Sequence, residues 1–202
     1  MRLPRTILKA IAAAVVTSCA VAGRAQDSGT PRIFPDFSAT QEMGNLPPGR
    51  VYQSGSNFRV EQIPGLTVIY LAASNKVYDL FSRGNCIQLS PDKESRVPIP
   101  LQLLTGSKVE RTPVGAEVVD GHTCKVENVV VTTAEGKVTQ SKVWEAQDLK
   151  GAPVKIESLT PRGKVVATYH DIILGTPDPA LFKPPSPCAP EDKMYQVAPQ
   201  RK

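Results

Sequence analysis

Two histidines, one tryptophan and an aromatic content of 5% leave this chain short of the groups that most catalytic and stacking surfaces use. There is no Gly-x-Ser-x-Gly elbow, no Walker loop, no His-Glu-x-x-His and no dinucleotide fingerprint, so the motif-bearing hydrolase, nucleotide and zincin chemistries have no anchor here. No Cys-x-x-Cys occurs, and His122 and His170 lie far apart in sequence. A metal site is therefore not expected, and no cofactor either. So few aromatics also argue against a platform for stacking sugars or bases. Heptads and internal repeats are absent.

The apolar run Ala10–Ala22 (AIAAAVVTSCAVA) is too short to span a bilayer comfortably. It follows a segment with Arg2, Arg5 and Lys9 and no acid, which is the pattern of a secretory signal. Two processing routes fit. Gly23-Arg24-Ala25 offers small residues for ordinary cleavage before Gln26, the preferred reading; Val16-Thr17-Ser18-Cys19 resembles a lipobox that would lipidate Cys19. The first route predicts a periplasmic or secreted protein, the second an outer-membrane anchor. Residues 1–25 hold four basic residues and no acid, so their removal takes the net charge from +5 to +1. No basic stripe remains, and nucleic acid is not an expected partner.

Beyond Cys19, three cysteines remain: Cys86, Cys124 and Cys188. In an oxidising compartment they predict one disulfide and one further thiol, with the pairing open. A bond from Cys188 would pin the Pro-rich tail, residues 186–202, to the body.

From 36 to 185 the chain reads as one β domain, preceded by a polar leader over 26–35. Strand-like runs recur about every ten residues between Gly, Pro and Asn/Asp turns. Among them are Phe37–Met43, Arg50–Gln53, Asn57–Gln62, Leu66–Leu71, Lys76–Phe81, Cys86–Leu89, Thr123–Thr133, Lys137–Ala146, Pro153–Leu159 and Lys164–Ile173. Lys108–Thr112 and Ala116–Val119 read as two further strands, closed by the Asp120-Gly121 turn. Leu101–Leu104 and Asp178–Phe182 are candidate helical turns. The pattern is an antiparallel meander whose sheet curves round one face. Lys and Glu alternate through the second half as on solvated faces. Glu127, Glu145 and Glu157 are expected to balance Lys125, Lys142 and Lys155 across strands.

His122 and Cys124 stand two apart, so they share a strand face, either as a nucleophile pair or as a turn histidine beside a structural cysteine. His170 and Asp171 are adjacent and point to opposite faces. Phe58, Val60, Tyr70, Trp144, Ile156 and Tyr169 either line an apolar cavity or form an ordinary core.

The stretches FSATQEM, GRVYQSGSNFRVEQ and LTVIYLAASNKVYDLF resemble the opening strands of the LolA/LolB lipoprotein carriers and receptors. KVWEAQDLKGAPVKIES and GTPDPALFKPP are similar to the second half of LolA-like envelope proteins. The resemblance implies a strongly curved antiparallel sheet, an unclosed half-barrel, with one or two short helices against its concave side. It implies an apolar concavity that takes a lipid or lipoprotein acyl chain, envelope proteins as partners, and no catalysis. Arg59 falls where the family pattern carries a basic residue that helps hold a lid. The chain departs from the pattern in its short leader, which replaces a substantial helix, and in the reduced middle helices. The alternative function is a protein-binding or structural envelope module without a lipid cavity.

Overall fold

The computed structural model describes residues 34–90, 106–160 and 163–190. The candidate signal segment with Cys19, the candidate helix at 101–104 and the end of the tail lie outside them.

Twelve strands form one sheet. A first meander runs through β1 (Phe37–Met43), β2 (Gly49–Ser54), β3 (Asn57–Ile63), β4 (Leu66–Leu71), β5 (Lys76–Phe81) and β6 (Cys86–Leu89). A second runs through β7 (Lys108–Val119), β8 (His122–Thr132), β9 (Val138–Ala146), β10 (Ala152–Thr160) and β11 (Gly163–Leu174). The two meanders join where β1 pairs antiparallel with β11. Their far edges are β6, extended by the short parallel strand β12 (Ala189–Pro190), and β7. The sheet is mainly antiparallel and does not close, as expected.

Turn chemistry sets much of this. Asp120 and Gly121 both have positive φ (50° and 80°), the requirement of the two-residue turn that joins β7 to β8. Gly49 answers a different need. A Cβ there would collide with the backbone of Gln62 on the neighbouring strand, where β3 bulges. Residues 108–119 form one strand where two were expected, because a bulge at Val114 absorbs Pro113, which cannot donate to the ladder.

The curvature follows from one contact. The Phe34 carbonyl accepts from Gln53 Nε2 on β2, while the Arg111 guanidinium of β7 lies 5.9 Å from the Phe34 ring centroid. On a flat sheet β2 and β7 would be about 29 Å apart, at ~4.8 Å per strand. One residue and one long side chain bridge them only because the sheet bends round the face that carries Phe34. That face is the inner one.

The main core lies there. It combines Phe37, Ala39, Val51, Phe58, Val60, Val68, Tyr70 and Val77 of the first meander with Val129, Val131, Val143, Ala167 and Tyr169 of the second. A smaller core of Cys124, Val126, Trp144, Ala146 and Val154 sits on the outer face of the second meander. Adjacent strand residues point to opposite faces; Val143 belongs to the main core and Trp144 to the small one.

Residues 175–190 form a strap. It leaves β11 beside Asp36, whose carboxylate accepts from Thr176 Oγ1 at 2.8 Å. Asp178 caps a 3-10 turn at Pro179–Phe182, the helical turn expected there, and buries Phe182. Arg59 Nη1 donates to the Leu181 carbonyl at 2.8 Å. The strap ends at the Cys86–Cys188 disulfide and the pairing of β12 with β6. Arg59 alternates with Phe58 and Val60, so the strap crosses the outer face of the first meander.

Candidate functional site

The inner face of the first meander is built in rows across neighbouring strands. One row runs Phe37, Gln53, Phe58, Tyr70, Val77, Leu89. The next runs Ala39, Val51, Val60, Val68, Asp79, Ile87. Both follow from alternation, which is strict in β1 to β3 and is broken in β4, where Ile69 is buried too, and at the end of β5, where Phe81 is only partly buried. Tyr169 of β11 extends this surface, its ring edge-on to Phe37 at 6.4 Å. Its hydroxyl accepts from Gln41 Nε2 at 3.0 Å. Burial pushes the Tyr169 phenol up to about 12, against the lowering effect of that bond.

Of the candidate lining residues, Phe58, Val60, Tyr70 and Tyr169 are brought together in the main core, and Ile156 packs against it. Trp144 is not. It stands on the opposite face, its Nε1 donating to Glu117 Oε2 at 2.7 Å, with Lys142 and Lys155 4.6 and 4.3 Å from its ring centroid. Hydrogen bonds from Trp144 and Lys142 hold the Glu117 carboxyl below its ordinary value. Arg59 also faces outward. It pairs with Glu61 Oε1 at 2.6 Å and holds the strap.

The expectation of solvated Lys/Glu faces fails for β8 and β9. Glu127 and Glu145 are 2% and 1% exposed. They share the inner face with Val129, Val131 and Val143, because residues 127, 129 and 131 lie on one side of β8. Arg111 on β7 reaches diagonally over β8. Its Nη1 lies 2.8 Å from Glu127 Oε2 and 2.7 Å from Glu145 Oε1. Lys125 Nζ adds a contact of 2.5 Å to Glu127 Oε1. Burial works to raise the Glu127 carboxyl, but hydrogen bonds from Lys125 and Arg111 outweigh it and hold it below the ordinary value. The expected cross-strand pairs are corrected accordingly. Glu145 takes Arg111, Lys142 takes Glu117, and Glu127 and Glu157 pair with Lys125 and Lys155 two residues away on their own strands.

This cluster was missed from the sequence. Its one available signal is that Glu127 keeps the alternation of Val129 and Val131.

Among the described residues no group of His, Cys, Asp and Glu could hold a metal. His122 and Cys124 do not meet through their side chains: the His122 Nδ1 lies 2.7 Å from Asp148 Oδ2, and the Cys124 thiol donates to the His122 backbone carbonyl. Burial pushes that thiol up, against thiolate formation. His170 Nδ1 lies 3.0 Å from Asp120 Oδ2, across the β7–β8 turn. Among the described residues Cys124 is the free cysteine, fully buried.

A cleft of about 480 Å³ opens at the turn end of the first meander, lined by Pro47, Pro48, Gln62, Pro64, Leu66 and Phe81 among others.

No family model matches the chain, and no curated protein does. Its fold is similar to several solved structures. The Mycobacterium tuberculosis lipoprotein LppX shares 14% identity over 69% of this chain and 86% of its own, with a TM-score of 0.38. A LolA superfamily protein from Nitrosomonas europaea shares 13% over 77% and 91%, with a TM-score of 0.37. A chain of the Pseudomonas aeruginosa MucA/MucB complex shares 15% over 73% of this chain, which spans 55% of that one, with a TM-score of 0.42. At these TM-scores nothing about this chain's ligand or partners follows from the likeness.

Proposed function

We propose that this protein is an exported envelope protein that binds a lipid or lipoprotein acyl chain, without catalysis, against the inner face of its curved sheet. The observation that carries the reading is the pair of inner-face rows, which set Phe37, Phe58, Tyr70, Val51, Val60 and Val68, each no more than 2% exposed, side by side as one apolar layer across adjacent strands. An acyl chain needs only such a surface. Each methylene removed from water contributes about 0.8 kcal/mol, so affinity grows with chain length and requires no polar motif. That is consistent with a sequence in which no catalytic motif stands out. The Cys86–Cys188 disulfide supports an oxidising compartment, periplasmic or extracellular.

One observation favours the second reading, a protein-binding module. The edge strand β7 exposes Val118 at 71% and Val114 at 50%, and an open edge can accept another strand.

The test is the intact native mass of the protein purified gently from its own envelope. A lipid-sized adduct that exchanges with added acyl chains is expected. A bare mass, with no uptake of acyl probes, would refute the lipid reading and leave the edge strand as the better account.

A further inference from the structure

The Arg111 cluster is built for more than holding two carboxylates. Arginine carries five N–H donors. Here Nη1 serves both Glu127 and Glu145, while Nε and Nη2 are buried without a hydrogen-bond partner among the described residues. Buried donors on a cation are costly to leave unmatched, and where they persist an acceptor from outside the chain is the natural account.

Three features define that acceptor. The first is position. Arg111 sits directly across from Val129 and over the Phe34 ring, and both belong to the main core, so the buried, unpartnered donors lie against that core. The second is charge. The Arg111 guanidinium already faces the carboxylates of Glu127 and Glu145, and Lys125 adds a second cation at Glu127. A carboxylate or phosphate brought to Arg111 would meet two buried carboxylates within the same group, whereas a neutral carbonyl oxygen would not. The third is geometry. Nε and Nη2 are neighbouring donors on one planar edge of the guanidinium, suited to oxygen acceptors.

We infer that Arg111 is the head-group contact of the lipid site, donating from Nε and Nη2 to the carbonyl oxygen of a neutral acyl ester or amide whose chain lies along the inner-face rows. This rests on the acyl-binding reading above and adds to it a ligand class: ester- or amide-linked acyl groups, in preference to alkyl ethers and free fatty acids.

The test uses the full folded chain and three probes of equal chain length: 1-monopalmitoylglycerol, its ether analogue 1-O-hexadecylglycerol, and palmitate. The ester and the ether differ only in the carbonyl. Hydrogen bonds from a charged donor predict that the ester binds about tenfold or more tightly than the ether. Palmitate is expected to bind more weakly than the ester at neutral pH. In Arg111→Lys, which keeps the positive charge between the two glutamates but loses the planar donors, the ester-to-ether ratio should fall to about one.

Equal affinity for ester and ether in the unmodified chain overturns the inference and leaves the acyl-binding reading standing; water then satisfies Arg111. Palmitate binding as well as the ester overturns the neutral-carbonyl assignment. A full ester preference surviving in Arg111→Lys removes Arg111 from the site. Binding of none of the three probes overturns the reading and the inference together. The ester–ether comparison on the unmodified chain decides the matter whether or not the variant folds.

Discussion

The two meanders are made of the same kind of strand and use their faces differently. In the first, the inner face is mainly apolar, with Gln53 and Asp79 among its buried members, and the outer face is crossed by the C-terminal strap, clamped by Arg59 and by the Cys86–Cys188 bond. In the second, the inner face carries the buried Glu127 and Glu145 with a partly buried Arg111 and a partly exposed Lys125, and the outer face has a small core of its own around Trp144. Alternation alone therefore tells which residues share a face. It does not tell which face water reaches. That depends on how the sheet bends and on which segments lie across it.

The comparison can be broken most directly at its two inner faces. Phe58→Ala empties part of an apolar row and should cost about 3–5 kcal/mol in denaturant unfolding, with loss of acyl-chain binding. Arg111→Met should cost a similar ~3–5 kcal/mol, for an electrostatic reason: it takes a cationic partner from two buried carboxylates, Glu127 and Glu145. The two effects separate by pH. Glu127 has a folded pKa below its unfolded value near 4.5, so its contribution is present above that pH and is lost as pH falls through the folded value. The deficit of Arg111→Met should thus be largest above about pH 5 and shrink on acidification, while that of Phe58→Ala should not. A deficit of Arg111→Met that ignores pH would place the cluster's role in packing.

The outer faces give smaller effects. Reducing Cys86–Cys188, or replacing both cysteines with alanine, should lower stability by about 2–4 kcal/mol. Acyl binding should survive, since the strap lies on the other side of the sheet. Loss of binding on reduction would show that the strap shapes the inner face. Trp144→Phe removes one hydrogen bond to Glu117 and should cost about 1 kcal/mol, with no change in lipid affinity. A marked fall in affinity would restore Trp144 to the lining from which its position removes it.

Much of the fold was legible because its signals are local. Strand positions followed from β-branched and aromatic runs between turns such as Asp120-Gly121, and the short helical turn followed from Asp178-Pro179. Phe58 and Val60 were grouped because alternation is a local rule, and Tyr70 and Tyr169 joined them as aromatics. Trp144 was grouped with them on composition alone, and its neighbour Val143 occupies the inner face instead. The Arg111 cluster was not legible. Its members come from three strands, and its lysines and glutamates look like ordinary solvated pairs until the sheet closes over them.

The sequence by itself determined the strands, their turns, the antiparallel order and which residues share a face. Those depend on backbone preferences and a period of two residues. Only the tertiary structure decided that Cys86 pairs with Cys188, that the strap crosses the outer face, and that Glu127 and Glu145 are buried with Arg111. Those outcomes depend on the bend of the sheet, which brings together groups that are distant along the chain.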